Sequence, residues 1–510
     1  MAHRFRPWTT AQLYLLPPAL NDWVDDDHLI HFVADVVRTL DMSEIEATYL
    51  DKDPRGAVPY DPRMLLALLV YSYCRGVTSS RKIESATWED VATRVLVGDQ
   101  HPDHTVVSEF RRKHLDSFRS LFVEVLRMCA RSGLVKVGRV ALDGTKVRAN
   151  ASKHKAMSYG RMKKTERRLK KEVAALLAEA EALDREEDRL YGKERRGDEL
   201  PEELRRRETR LARIQQAKAE LEAEAAAARA EQLESRAEAR EDAIDEDDDL
   251  PPDAGKKLSR QERRRLEGLA QKSRKAAEKA RNKANQSSET SRRSVLPQAS
   301  EPTDLVRHRT KFDRHGDPTE KAQRNFTDPD SRIMVMGSGA FEQAYNCQAM
   351  VTDEQIIVAT DVSNQAPDTQ QMVPMLLQTE KNCGALPDVF LADNGYFSGA
   401  NVEYCEAAGI DAYISVGRKR WEESRPREGV DRPPLVRMYD RLQTEAGREH
   451  YARRKVMPEP VFGQIKHPMG FDRFSLRGLR KVRGEWNLVA TCHNLLKLYR
   501  AGRFRHVSAT

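Results

Sequence analysis

Two apolar runs in this sequence end in an aspartate with a glycine beside it. Val140-Ala141-Leu142 leads into Asp143-Gly144, and Val389-Phe390-Leu391-Ala392 leads into Asp393-Asn394-Gly395. Each run has the length of a buried strand passing into a turn. Acids at the ends of neighbouring strands can converge on one point. A carboxylate set without His or Cys suits a hard cation such as Mg²⁺ or Mn²⁺ rather than zinc. Two such ions can activate a water or a 3′-hydroxyl and stabilise the leaving oxygen in phosphoryl transfer. A glycine next to the acid lets backbone or substrate come close. An aspartate at a strand end is also a common turn residue, so neither segment alone decides between ligand and turn.

A third carboxylate, Glu459, lies in Tyr451-Ala-Arg-Arg454-Lys455-Val-Met-Pro458-Glu459-Pro460. Pro460 suits the first position of a helix, which puts Glu459 at the helix start, where the dipole favours an ionised acid. Lys466 follows seven residues later, two turns along the same face. The pair suits a metal ligand beside a phosphate contact; an exposed surface pair is the alternative. Residues 451–510 carry a net charge of +10 and the rest of the chain −3, which suggests a polyanionic partner, nucleic acid first. A solvated basic helix face is the other reading.

These residues need elements to hold them. The chain has 510 residues, 39% hydrophobic and 33% charged. That is enough for two to four domains and more polar than usual. Residues 1–135 read as mostly helical, with an apolar segment Leu65 to Val70 after Asp61-Pro62. Thr105 to His114 reads as a helix with a basic face, Arg111 and Arg112, continuing through Phe118 to Leu126. It either docks on phosphates or is an ordinary amphipathic helix. Residues 136–160 carry the first strand.

Residues 161–300 hold one aromatic, Tyr191, and are dominated by Glu, Arg, Lys and Ala. They predict a long helical, coiled-coil insertion. Its second part, 254–300, is basic and then rich in Ser and Gln, so loose order is expected there. A regulatory or DNA-gripping arm and a solvated spacer are both open.

Residues 301–500 read as the remainder of the interrupted domain, with 501–510 a tail. Tyr345–Thr352 and Ile356–Ser363 predict a β-hairpin around Asp353-Glu354-Gln355. A helix from Thr369 to Lys381, the strand ending at Asp393, a helix from Ser398 to Ala408 and a strand Ala412–Val416 follow. From Pro460 on the tail reads as helical and basic, ending in a helix from Glu485 to Tyr499, with Trp486 and His493 expected in packing roles. The fold class is α/β, a mixed sheet flanked by helices and interrupted after its first strand. Asp328 and Asp330, in Thr327-Asp-Pro-Asp-Ser-Arg, precede a strand; they are a second shell to the metals or an Asx-type turn. Asp361, near a strand end, rivals the others as a ligand.

No run of about 18 apolar residues occurs, so no transmembrane helix is expected. The start lacks an apolar signal core, so no secretory signal is expected. Six cysteines without a CxxC pair fit a reducing cytoplasm.

Ala141-Leu142-Asp143-Gly144-Thr145-Lys146, Leu391-Ala392-Asp393-Asn394-Gly395-Tyr396 and the set Tyr451, Arg454, Glu459, Lys466 together resemble the DDE transposases of bacterial insertion sequences, in the RNase H-like superfamily. Tyr60-Asp61-Pro62-Arg63-Met64-Leu65, Asn325 to Arg332 and Gln343 to Gln348 resemble the branch with an InsH-type N-terminal domain. The likeness covers roughly residues 1–155 and 320–500. Four residues separate Arg454 from Glu459, where the family signature usually has three, so Lys455 is the alternative holder of the Arg place.

The resemblance implies that Asp143, Asp393 and Glu459 are catalytic and hold two divalent ions, Mg²⁺ or Mn²⁺. Terminal inverted repeats would be bound, their ends hydrolysed, and the freed 3′-hydroxyls joined to target DNA. Lys466 would contact a phosphate and Tyr451 the displaced end. Arg454, Lys455, Arg111 and Arg112 complete the expected DNA contacts. The implied partners are double-stranded DNA and a homodimer or larger synaptic assembly, in the cytoplasm, with no membrane and no organic cofactor. The alternatives are a metal-dependent nuclease without strand transfer and a catalytically decayed DNA-binding transposase.

Overall fold

The computed structural model describes residues 19–50, 58–191, 202–249, 258–292, 305, 308–417 and 434–502. The N-terminal part is helical, as the apolar periodicity predicts. Its central helix, Pro62–Cys74, starts with Asp61 accepting from the Arg63 N–H at 2.7 Å. A proline stands in its first turn, where a missing N–H costs nothing. Residues Leu65 to Cys74 are all buried. The helix expected from Thr105 through Leu126 is two helices, His104–Lys113 and Ser117–Arg131. The break has a tertiary cause: Leu115 lies between them and packs tightly against Gly484 of the last helix.

A six-stranded mixed sheet forms the second layer. Its strands are β1 (Arg139–Arg148), β4 (Arg332–Val335), β5 (Phe341–Thr352), β6 (Ile357–Ser363), β7 (Val389–Ala392) and β8 (Asp411–Ile414). The order runs β4–β5–β1–β7–β8, and β6 also pairs with β5. β1 is antiparallel to β5 and parallel to β7, and β7 is parallel to β8. The expected hairpin is β5 and β6, with Gln355 in the turn at φ 64°. Val140, Ala141 and Leu142 of β1 and Phe390, Leu391 and Ala392 of β7 are fully buried. Central strands covered on both faces read as continuous apolar runs, which is why these two are visible in sequence. The short β2 (Ala156–Ser158) and β3 (Gln323–Asn325) form a separate two-stranded sheet that no sequence signal marks.

The last helix, Leu479–Arg500, is longer than expected and nearly all buried. Its Asn494 side chain bonds both the N–H and the C=O of Ile357, at 2.9 and 2.8 Å. From its other side Glu485 accepts from the Tyr73 hydroxyl at 3.0 Å. The helix thus lies between the N-terminal helices and the sheet, and one hydrophobic core runs through all three. Trp486 and His493 are both in this core.

Three long helices, Tyr159–Tyr191, Glu202–Asp249 and Arg260–Arg292, fill the interruption after β1. The second has 48 residues. At the usual helical rise it is about 70 Å long. Tyr159, Met162 and Leu169 pack with Ile214, Ala217 and Leu221. Loose order at 254–300 is corrected for 260–292, which is helical; 250–257 and 293–300 lie outside the described residues. That helix is secured by its neighbour. Arg281 pairs with Glu234 at 2.6 Å, Arg274 pairs with Glu241, and Arg240 donates to Ser273 at 2.7 Å. The buried positions are largely alanine, among them Ala225, Ala226, Ala270 and Ala277, rather than the leucine seam of a coiled coil.

Candidate active site

The parallel register of β1 and β7 sets Leu142 opposite Ala392, so Asp143 and Asp393 leave the two strands side by side. Each is tied by its own turn. The Gly144 N–H donates to Asp143 Oδ1, and the Gly395 N–H to Asp393 Oδ1, both at 2.8 Å. Space at the two glycines is tight, most of all at Gly144. A Cβ on Gly144 would stand 2.5 Å from Gln348 Nε2 and 2.9 Å from Asp368 Oδ1. One on Gly395 would stand 3.0 Å from Asp393 Oδ1 and 3.4 Å from Asp368 Oδ2.

Glu459 is in the first turn of the helix Pro458–Lys466. Pro458 and Pro460 fall where N–H groups have no helical partner, so both fit. Arg454, in the preceding turn, reaches both sides of the site. Its Nη1 is 3.6 Å from Asp143 Oδ2 and its Nη2 3.7 Å from Glu459 Oε1. Arg454 rather than Lys455 therefore faces the acids. The Arg454 guanidinium is 5.9 Å from the Tyr451 ring centre. Lys455 and Tyr451 line a neighbouring cavity of about 830 Å³ with Tyr439 and Arg448. Lys466 is half-buried; burial lowers its pKa while the charges of Asp143 and Asp472 oppose that.

The field at Asp143 is unusual. Burial pushes its carboxyl up to about 6. The charges of Asp393 and Asp368 add to the rise, against the Gly144 N–H and Arg454, as like and opposite neighbours of an acid must. The cation seen facing Asp143 and Glu459 is the Arg454 guanidinium. An all-oxygen donor set of this kind fits a hard divalent cation.

Asp368 is a site residue that sequence reasoning does not single out. Its Oδ1 accepts from Asn346 Nδ2 at 2.6 Å, Gln348 Nε2 at 2.8 Å and Lys146 Nζ at 3.4 Å. Gln348 in turn accepts from the hydroxyl of buried Tyr396. The signal available is Pro367-Asp368 just ahead of an expected helix, but its neighbours come from other elements, Asn346 and Gln348 on β5 and, 222 residues back, Lys146 on β1.

Other expected site residues stand elsewhere. Asp328 accepts from the Tyr345 hydroxyl at 2.8 Å and the Gly478 N–H at 3.1 Å; Asp330 accepts from the Leu479 N–H at 2.7 Å. Both therefore serve the N-terminus of the last helix, where orphan N–H groups and the dipole favour acids, rather than a second shell. Asp361 is buried against Arg483, which corrects its reading as a rival ligand. Arg111 is buried too, donating to the Tyr73 hydroxyl and the Thr78 carbonyl, each at 2.8 Å; it is a core residue and not a DNA contact. Arg112 is exposed and lines a groove with Ser79, Arg81 and His104. Glu84, Asp103 and His104 also come together there, with His104 Nδ1 2.8 Å from Glu84. Part of the C-terminal basic charge is neutralised internally, Arg480 by Asp116 and Arg483 by Asp361.

Residues 306–495 match the transposase DDE domain family, and residues 18–113 match the transposase domain family DUF772. The chain belongs to the DDE transposases of insertion-sequence type. That family implies the RNase H-like fold, nuclease and transposition activity on DNA, and divalent metal ions. Asp393 and Glu459 lie inside the matched stretch. Asp143 lies upstream of it, beyond the helical insertion, and the β1–β7 pairing brings it beside Asp393. No curated protein and no solved structure matches the chain. No helix among the described residues is long and apolar enough to cross a membrane.

Proposed function

We propose that this protein binds the terminal inverted repeats of an insertion sequence, cuts its ends and joins them to target DNA. The observation that carries this is that Asp143 and Asp393 leave β1 and β7 side by side while Arg454 lies between Asp143 and Glu459. Asp143, Asp393 and Glu459 would hold the divalent ions, Mg²⁺ or Mn²⁺ and two in number. When bound, these supply nucleophile activation and stabilise the leaving oxygen.

In the first step a water oxygen attacks the phosphorus at the element end. The P–O3′ bond breaks and the departing 3′-oxygen takes up a proton. In the second step that 3′-hydroxyl attacks a target phosphorus in line, gives up its proton, and a target 3′-hydroxyl leaves. The residues of the chain contribute position and charge. Arg454 fixes the distance between the sheet acid and the helix acid. Lys466, kept close to the site by burial, contacts a phosphate near the cut. Tyr451 and Lys455 face the displaced end, and exposed Arg112 contacts duplex phosphates further out. A dimer or larger synaptic complex holds the two ends together.

The test is nicking and joining on the element's own end DNA, with Asp143→Asn, Asp393→Asn and Glu459→Gln in parallel. Metal-dependent 3′ nicks and joined products, lost in all three variants, are expected. Nicks without joined products would favour a nuclease, and specific binding without nicks a decayed transposase.

A further inference from the structure

We propose that Asp368 is a fourth carboxylate of the cation site, its Oδ1 anchored by the sheet and its Oδ2 presented to the cation beside Asp393. This deepens the functional reading above and rests on it.

The two oxygens of Asp368 have different surroundings. Three donors from two strands, Lys146 on β1 and Asn346 and Gln348 on β5, converge on Oδ1. The Gln348 amide is itself fixed, donating to Asn346 Oδ1 at 3.0 Å and accepting from buried Tyr396. This is more scaffolding than a surface turn needs. It fixes the carboxyl rotation and leaves Oδ2 turned toward Gly395. A Cβ at Gly395 would lie 3.4 Å from Asp368 Oδ2 and 3.0 Å from Asp393 Oδ1, so both oxygens border one small space. Glycine keeps that space clear. Thr369, the next residue, donates to the Gly395 carbonyl at 2.8 Å and ties the two loops together. Ligands whose partners fix their rotation are a common support of metal sites, and losing such groups weakens binding about 10–100-fold.

The test is Mn²⁺ titration of the DNA-free protein, followed by the paramagnetic signal of free Mn²⁺. Wild type, Asp368→Asn, Asp368→Ser and Asp143→Asn are compared, each checked by circular dichroism. The expected result is at least tenfold weaker or one fewer bound Mn²⁺ in both Asp368 variants, with the far-ultraviolet spectrum retained. The serine variant keeps the test valid if the asparagine variant misfolds. Mn²⁺ binding within twofold of wild type in a folded Asp368 variant, while Asp143→Asn loses it, would overturn the role of Asp368 and leave the three-acid reading standing. Unchanged binding in Asp143→Asn as well would overturn that reading too.

Discussion

Asp143→Asn is expected to abolish activity and yet stabilise the metal-free protein at high pH. In the folded chain the Asp143 carboxyl is raised to about 6, mostly by burial, against an ordinary value of 3.8. A raised acid favours the protonated native state. Its stability is fully present below pH 3.8 and is lost as pH rises through 6. A rise of about two units corresponds to about 3 kcal/mol at pH 8. Asparagine has no charge to bury and keeps the size of the side chain. Its advantage over wild type should be about 1 kcal/mol near pH 4.5 and grow to about 3 kcal/mol, several degrees in Tm, at pH 8, in EDTA. Asp328 and Asp361 are also raised to about 6, but they titrate in both proteins and cancel in the difference. Mg²⁺ should remove the advantage by stabilising wild type alone. The assay is thermal unfolding from pH 4.5 to 8.5, with and without Mg²⁺. A variant less stable than wild type at pH 8, or a difference flat across the range, would refute the reasoning.

Other substitutions separate structural from DNA-facing roles. Arg111→Met should cost about 3 kcal/mol in urea unfolding, because it removes a buried cation from the Tyr73–Glu485 network. Arg112→Ala should leave stability within about 0.5 kcal/mol but weaken end binding and reduce the salt slope by about one. Asp330→Ala should lose about 1 kcal/mol from the last helix, whose Leu479 N–H it caps, while Mn²⁺ affinity holds, as calorimetry would show. Gly144→Ala should suppress nicking in a folded protein, since its Cβ would push on Gln348 and Asp368.

The three acids are legible because local sequence carries their signals. β1 and β7 are apolar runs ending in Asp, and Glu459 sits beside prolines that suit a helix start. The residues around them are not, because their meaning is made by distant chain. Asp368 gains its place from Lys146 on β1, 222 residues back, as well as from Asn346 and Gln348 on β5. Arg111 resembles an outward basic residue until Tyr73 and Thr78 enclose it. Asp328 and Asp330 do form a local turn, but their use is at Gly478 and Leu479, about 150 residues on. The helix Arg260–Arg292 has a polar composition, and its order comes from Glu234 and Glu241 across the hairpin. Charge alone also overstates the basic tail, since Arg480 pairs with Asp116 at the surface and Arg483 with buried Asp361.

The central claim is that Asp143, Asp393 and Glu459, spread over more than 300 residues, surround one cation site. Iron-directed cleavage tests it most directly. Fe²⁺ replaces the native ion, ascorbate and peroxide generate radicals at the metal, and mass spectrometry maps the cuts. Cuts clustered near residues 143, 393 and 459, and suppressed by excess Mg²⁺, are the expected result. Cuts confined to Glu84, Asp103 and His104, or absent from one of the three acids, would contradict the account.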